Sequence, residues 1–228
     1  MTSASSSFAR ASSSLRIAAF AWLVGCGGGP IVVPVTSPTA TRAEVAPPYV
    51  DTASAWRAYH SSRHLLTVHL PDGQAWKVDD HGRPELIAHH PSTHSELTVA
   101  IEPAGDLVGR AQCEAIARKK GRVPEGDLRT LEDRVTVGPE AYDTRIWVAL
   151  EVRPQGQIAA HLFAFGGLIR TCFFFHLRTE VPNLASEGVL ASRLALARTR
   201  ILDRVELDAL RVTTDAELPR ATETPKKP

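Results

Sequence analysis

Alternation of apolar and polar residues predicts several β-strands in the middle of the chain. Residues 66–70 alternate with a period of two, and the pattern resumes at 76–78 after the turn residues Pro71-Asp72-Gly73. We therefore predict a hairpin made of these two stretches. The stretches 86–88 and 97–101 predict a second pair of neighbouring strands.

The longest alternating stretch, 142–153, predicts a strand with one face in the core. A turn then leads into 157–165, and Gly166-Gly167 is typical of a two-residue hairpin turn. The run that follows, 168–181, is apolar on both faces. We expect it to be a central strand that is covered on both sides.

Two stretches have the period of an α-helix. The first, 107–120, places Cys113 and Ala117 on one face and is ended by Gly121. The second, 185–205, carries a buried stripe of apolar residues: Leu190, Leu194, Ala197 and Ile201. Together the elements predict an α+β fold, a mainly antiparallel sheet with helices packed on it, in one domain over residues 52–210.

The order of these elements resembles that of the PsbP-like α/β/α sandwiches. The likeness covers about residues 62–206 and includes the hairpin LPDGQAW, residues 70–76. That family includes photosystem extrinsic subunits, Ran-binding relatives and many bacterial lipoproteins. No motif residue is specific enough to transfer a function from it.

The first 25 residues have the architecture of an export signal. They contain Arg10, Arg16 and no acidic residue, followed by the apolar run 17–24. This run is far shorter than the roughly 20 residues that span a bilayer. Gly27-Gly28-Gly29-Pro30 directly after it would interrupt a helix. We predict a signal peptide over residues 1–25.

The end of this segment, LVGC at residues 23–26, resembles the lipobox of bacterial lipoprotein precursors. An aliphatic residue stands three positions before the cysteine and a small residue directly before it. The resemblance implies that Cys26 becomes the acylated first residue, with palmitate among its chains, and holds the protein to a membrane of the cell envelope. The alternative is an ordinary signal peptide whose cleavage site happens to contain a cysteine.

The segments on either side of the domain have the composition of linkers. Residues 26–51 are rich in proline and glycine, which predicts a tether between the lipid anchor and the domain. Residues 211–228 are polar and proline-punctuated, which predicts a disordered tail. The expected location is the periplasmic or outer-membrane side of a bacterial envelope.

If Cys26 is acylated, Cys113 and Cys172 remain as a pair in an exported domain. One lies on the inner face of a predicted helix and the other on a predicted central strand. We favour a disulfide between them, which would stabilise the fold by roughly 4 kcal/mol in the chain-entropy model. The alternative is two buried free thiols.

Histidines are concentrated between residues 60 and 94, which raises the possibility of a metal site. The candidate ligands are His60, His64, His89, His90 and His94. On a helix the first two would share a face, and the other three crowd one turn. The alternative, which we favour, is that these histidines are solvated and that the protein has no metal and no cofactor.

Charge and motifs argue against some classes of function but identify no ligand or reaction. The formal net charge of +1 does not indicate a nucleic-acid-binding protein. No familiar catalytic motif occurs, and no catalytic residue is assigned. Trp147 is either the anchor of a recognition surface or, as we favour, packed beneath the second helix.

Three hypotheses about function remain, in order of preference. The first is a lipid-anchored, non-catalytic binding module that contacts an envelope protein, an envelope polymer or a small ligand. The second is a histidine-based metal-binding lipoprotein, and the third is an envelope enzyme. The sequence leaves the ligand and the oligomeric state open.

Overall fold

The computed structural model describes residues 45–154 and 156–208. The predicted signal peptide, the LVGC motif with Cys26, most of the predicted tether and the tail lie outside the described residues. Within these ranges no helix is both long and apolar enough to cross a membrane.

Ten strands occur in the described part of the chain. In order they are β1 (Arg57–Ser61), β2 (Leu66–Leu70), β3 (Lys77–Asp79), β4 (Leu86–His90), β5 (Ser95–Pro103), β6 (Arg129–Val137), β7 (Asp143–Val152), β8 (Ile158–Leu168), β9 (Thr171–Val181) and β10 (Glu206–Leu207). Seven form one antiparallel sheet in the order β3-β4-β5-β9-β8-β7-β6. The other three form a small antiparallel sheet in the order β1-β2-β10.

Two α-helices accompany these strands in the described residues: α1 (Arg110–Lys119) and α2 (Glu187–Leu196). Gly121, with a φ of 71°, follows the end of α1 as predicted. After α2 the chain continues through a π-helical turn (Ala197–Ile201) and a 3₁₀ turn (Leu202–Arg204). A 3₁₀ turn (Leu184–Ser186) also precedes α2, so the predicted helix over 185–205 is present but changes its winding three times.

The large sheet is covered on both faces. On one face α1 packs over an aromatic cluster that includes Trp147, Phe163, Phe165 and Phe174. On the other face the residues of β2 and of the segment that follows α2 close a larger core. The α+β class, with a mainly antiparallel sheet and helices packed on it, is confirmed. The expected central position of β9 is confirmed as well.

The predicted hairpin between 66–70 and 76–78 is wrong. β2 pairs with β1 and β10, whereas β3 pairs with β4 in the other sheet. The turn residues Pro71-Asp72-Gly73 thus carry the chain from one sheet to the other. Alternation shows that a stretch is a strand, but the pairing partner is decided by core packing that a local pattern does not contain.

The predicted turn at Gly166-Gly167 is also wrong, because both glycines lie inside β8. The turn to β9 is made by Ile169 and Arg170 instead. A Cβ at Gly167 would lie 2.5 Å from the carbonyl carbon of Gly109. Glycine is needed here because the backbone that enters α1 passes directly over the strand.

Three strands were not predicted. β6 is the edge of the large sheet, and most of its side chains are exposed on both faces, so it has no clear apolar alternation. β1 is likewise largely exposed. β10 has only two residues, too few to produce a pattern.

The domain begins earlier than the predicted boundary at residue 52. Ala46 and Tyr49 are buried, although the sequence assigned them to the tether. The amide of Ala46 donates to Ser186 Oγ, and the hydroxyl of Tyr49 donates to Ser95 Oγ. The proline-rich composition of residues 26–51 indicated a linker, but Ala46 and Tyr49 near the end of this segment are part of the core.

Candidate functional site

A cavity of about 410 Å³ opens at the end of the sandwich where the β1–β2 turn meets the β8–β9 turn. We call it the turn-end cavity. It is lined by residues 63–65 and 168–171 together with Ile101, Tyr142 and Leu207. Its volume lies in the range of small-molecule sites.

Apolar side chains make up most of the wall. Tyr142 and Leu207 are buried at its base, whereas Leu65 and Ile169 are 51% and 66% exposed. Burial raises the pKa of Tyr142 to about 12, so that its hydroxyl stays neutral at physiological pH. The cavity therefore has a buried base, and exposed apolar side chains stand at its rim.

The charged groups in the lining are all cationic. Arg63 donates from Nη1 to the carbonyl oxygens of Asp80 and His81, at 2.9 and 2.6 Å. Neither Arg63 nor Arg170 forms a salt bridge with a carboxylate of the described residues. Among the described residues, no aspartate or glutamate lines the cavity, although the carboxylate of Glu140 accepts from the amide of Leu207. An anion near the rim would thus meet two arginines that form no salt bridge with a described carboxylate.

His64 also lines the cavity, but its Nε2 lies beneath the surface of the lining. Its Nε2 is buried and has no hydrogen-bond partner within the described residues. Burial, reinforced by the neighbouring charge of Arg63, lowers the pKa of His64 below its usual value. Buried polar atoms without a partner are uncommon, and each one calls for a group that would satisfy it.

The two turns that frame the cavity hold strained backbone. Leu65 and Ile169 have φ values of 52° and 54°, in the left-handed region that disfavours residues with a Cβ. For a β-branched residue such as Ile169 this conformation is an outlier. Strain of this kind concentrates at functional sites, where it holds side chains in set positions. Here it holds two exposed apolar side chains at the rim.

A second polar arrangement, built around Arg193, fixes the start of the domain. Arg193 is 1% exposed and forms no salt bridge with a described carboxylate. Its guanidinium donates instead to the carbonyl oxygens of Pro47, Thr93 and Glu180. It also donates to Thr179 Oγ1, at 3.0 Å. These acceptors satisfy the hydrogen-bond donors of the guanidinium, so the buried Arg193 has a structural role.

Hydroxyl groups extend this arrangement towards β4. Ser95 Oγ lies 2.8 Å from the hydroxyls of both Thr93 and Thr179. Thr93 in turn lies 2.8 Å from Nδ1 of His90, whose Nε2 donates to Asp72 at 3.2 Å. His90 is thus a satisfied core residue. Its pKa is lowered by burial.

The five histidines considered as metal ligands do not converge. Within the described ranges no group of three or more histidine, cysteine or acidic side chains could hold a metal ion. His60 lies on β1 and not on a helix, and His64 lies in the following turn. His89 and His94 are exposed. His90, expected to be solvated, is buried, because its ring packs against Tyr49 and Trp76.

Two histidines outside that set form a buried pair that the sequence did not reveal. His161 Nδ1 and His176 Nε2 are 3.1 Å apart, and His161 Nε2 lies 3.5 Å from a carboxylate oxygen of Glu151. Burial, with the nearby charge of Arg178 as a smaller cause, lowers the pKa of His176 to about 3. The two rings stack on Phe163 and continue the aromatic cluster beneath α1. The pairing of β8 with β9 places them together.

The cysteines on α1 and β9 form the disulfide that the sequence favoured. Cys113 and Cys172 are bonded, with their Cα atoms 5.4 Å apart. Both side chains are buried. The bond ties the helix to the start of the central strand, two positions after the rim residue Arg170.

Trp147 is packed and does not form part of an exposed surface. It is 8% exposed, stacks on Phe163 at a centroid distance of 5.0 Å and donates from Nε1 to Thr130. The guanidinium of Arg118, on α1, lies over its ring. The covering helix is therefore the first and not the second.

No protein-family model and no curated protein matches this chain. Solved structures that are similar to it include the following two. One is a crystal structure from Bacteroides thetaiotaomicron VPI-5482, with 10% identity and a TM-score of 0.40, over 67% of this chain and 48% of that chain. The match thus spans about half the length of the Bacteroides protein. The other is the solution structure of cyanobacterial PsbP (CyanoP) from Synechocystis sp. PCC 6803, with 9% identity and a TM-score of 0.45, over 69% of this chain and 95% of that chain.

Proposed function

We propose that this protein is an exported lipoprotein, anchored to a membrane through acyl chains on Cys26, whose domain is a non-catalytic binding module. The turn-end cavity is its binding site. The observation that carries the proposal is the composition of this cavity: apolar walls and two arginines that form no salt bridge with a described carboxylate. Such a lining recognises a ligand through shape and charge.

Export is supported by the disulfide between Cys113 and Cys172. Structural disulfides form and persist in oxidising compartments such as the periplasm and are rare in the cytosol of mesophiles. The export signal and the LVGC motif predicted at residues 1–26 agree with this compartment. Two or three acyl chains on one cysteine would hold the protein durably to a membrane, as a single chain would not.

The position of the cavity suits an anchored protein. The chain enters the described domain beside the end of β9, where Arg193 binds both Pro47 and Glu180. The cavity lies at the start of the same strand, at Thr171. The stretch of β9 from Thr171 to Glu180 separates the two places by about 30 Å, at roughly 3.3 Å per residue. A domain tethered at residue 45 can therefore present the cavity away from the anchored end.

Site-specific photocrosslinking in cells tests the binding site. A photoreactive amino acid replaces Ile169 at the cavity rim in the full-length, anchored protein. In a matched control it replaces Val135, which is 55% exposed on the edge strand β6. After irradiation, the mass of the modified peptide reports any adduct.

We expect an adduct at position 169 and none at position 135. The adduct is either a small molecule or a segment of an envelope partner, and both support a binding module. Absence of an adduct at position 169, or equal adducts at both positions, would contradict the assignment of the cavity as the binding site.

A further inference from the structure

We propose that the turn-end cavity binds a single-chain amphiphile with an anionic end, of which a medium-chain fatty acid is the simplest example. This inference rests on the proposed function in one respect, namely that this cavity is the binding site. It adds the chemical class of the ligand, which the lining residues determine.

The apolar part of the lining would hold the alkyl chain. The side chains of Leu65, Ile101, Leu168 and Leu207 face the cavity together with the ring of Tyr142. Methylene groups that leave water for such walls gain the hydrophobic contribution to binding. The volume of about 410 Å³ is in the range of small-molecule sites and is large enough for a medium-length alkyl chain.

The arginines would hold the anionic end. Arg63 and Arg170 both line the cavity, and neither has an acidic partner in the described part of the chain. Arg63 uses only Nη1 in the hydrogen bonds described for it, so that its other donors are available. A guanidinium binds a carboxylate through two parallel hydrogen bonds. A cationic ligand would meet two like charges at the rim.

A nuclear magnetic resonance titration tests this ligand class. The sample is the mature chain, residues 26–228, with Cys26→Ser so that it carries no acyl group. The probes are decanoate, decylamine and acetate, which separate the contributions of the chain and of the charge. Vesicles of anionic phospholipid form a fourth probe, which distinguishes a free amphiphile from a bilayer surface.

We expect decanoate to cause saturable shifts at residues 63–65 and 168–171. Decylamine and acetate should bind at least about tenfold more weakly, because each lacks one of the two recognised parts. The vesicles should not broaden or shift these signals. Shifts without saturation, equal binding of decylamine, or binding to the vesicles instead of decanoate would overturn the inference.

Two charge reversals provide the matched comparison. Arg170→Glu changes an exposed residue of the rim, and Arg129→Glu makes the same change at an exposed residue of β6. Arg129 pairs with Leu150, near the opposite end of β7 from Tyr142. Arg170→Glu should weaken decanoate binding at least about fivefold, while Arg129→Glu should leave it within twofold. An equal loss in both variants would contradict a specific carboxylate site.

The outcomes separate this inference from the proposed function. If decanoate does not bind but photocrosslinking at position 169 captures a protein segment, the ligand class is wrong and the binding module stands. If decanoate does not bind and position 169 gives no adduct, both fail. If decanoate binds at the rim and competes with the adduct formed in cells, both are supported.

Discussion

The guanidinium of Arg193 donates two hydrogen bonds to the carbonyl oxygen of Pro47, a residue 146 positions earlier in the chain. These bonds fix the point at which the domain begins. They also make the segment from Ala46 to Tyr49 part of the folded structure, since Tyr49 packs against the same guanidinium at 5.7 Å.

Arg193→Met should therefore destabilise the domain strongly. The substitution keeps most of the side-chain volume but leaves several buried carbonyl oxygens without a donor, and we expect a loss of about 3 kcal/mol in the free energy of unfolding. Urea denaturation measures it. Arg204→Met, at an exposed position, is the control and should change stability by less than about 0.5 kcal/mol. Equal losses in the two variants would show that the buried contacts do not matter.

The buried histidine pair should make the fold sensitive to acid. The pKa of His176 is lowered to about 3 by burial, whereas an unfolded histidine titrates near 6.5. The unfolded state thus binds more protons below pH 6.5, so that stability is complete above this pH and falls as the pH decreases towards 3. For His176 alone the loss between pH 7.5 and pH 5.0 is about 2 kcal/mol.

His176→Phe should remove this share of the pH dependence. A phenylalanine can keep the stacking on Phe163 but cannot be protonated. The comparison is the difference in unfolding free energy between pH 7.5 and pH 5.0, which cancels any constant effect of the substitution. His94→Asn, at an exposed left-handed position, should leave the difference unchanged. An unaltered pH dependence in His176→Phe would rule out the pair as its source.

Loss of the disulfide should cost about 3–4 kcal/mol. Cys113 and Cys172 are 59 residues apart, and the chain-entropy model gives about 4 kcal/mol for a loop of this length. The double variant Cys113→Ala/Cys172→Ala, compared with the oxidised protein by urea denaturation, measures the loss. Reduction of the wild type in denaturant and refolding under reducing conditions should give a similar value. Unchanged midpoints would show that packing alone holds α1 to β9.

Ile169→Asn should stabilise the protein. The residue has a φ of 54°, which asparagine adopts more readily than a β-branched residue, and its side chain is largely exposed. We expect a gain of about 1 kcal/mol in unfolding free energy. Ile169→Val, which keeps the branched Cβ, is the control and should give no gain. A loss of stability in Ile169→Asn would mean that the turn is not strained.

The same substitution should weaken decanoate binding, because it removes an apolar side chain from the cavity rim. A variant that is more stable yet binds less well is the expected signature of a residue kept for function. Titration of both Ile169 variants under identical conditions measures it. Equal affinities would place the ligand away from this turn.

The sequence predicted those elements whose evidence is local. Period-two alternation identified β7, and continuous apolarity identified β9 as a central strand. Helical spacing placed Cys113 on the inner face of α1, which together with the expected compartment favoured its bond to Cys172. In each case the residues of the element itself indicate which of its faces is buried.

Other features depend on contacts between distant segments and leave no local pattern. Arg193 binds backbone carbonyls of three separate segments, so nothing near residue 193 predicts its burial. His161 and His176 meet only because of the register between β8 and β9. The turn-end cavity likewise combines two turns, at 63–65 and 168–171, that lie about 100 positions apart. The one unusual local feature of this cavity is the turn between β8 and β9. Ile169 and Arg170 occupy it, where glycine or asparagine is usual.

Anchoring through Cys26 is the central claim, and membrane fractionation tests it most directly. Full-length wild-type protein and the Cys26→Ala variant are produced in a bacterial host, with the double variant Cys113→Ala/Cys172→Ala as a control for cysteine loss in general. We predict that the wild type and the control sediment with the membranes and are released by detergent. The Cys26→Ala variant carries no acyl chains, and we expect less of it in the membrane fraction. Equal membrane association of Cys26→Ala and the wild type would contradict the lipid anchor.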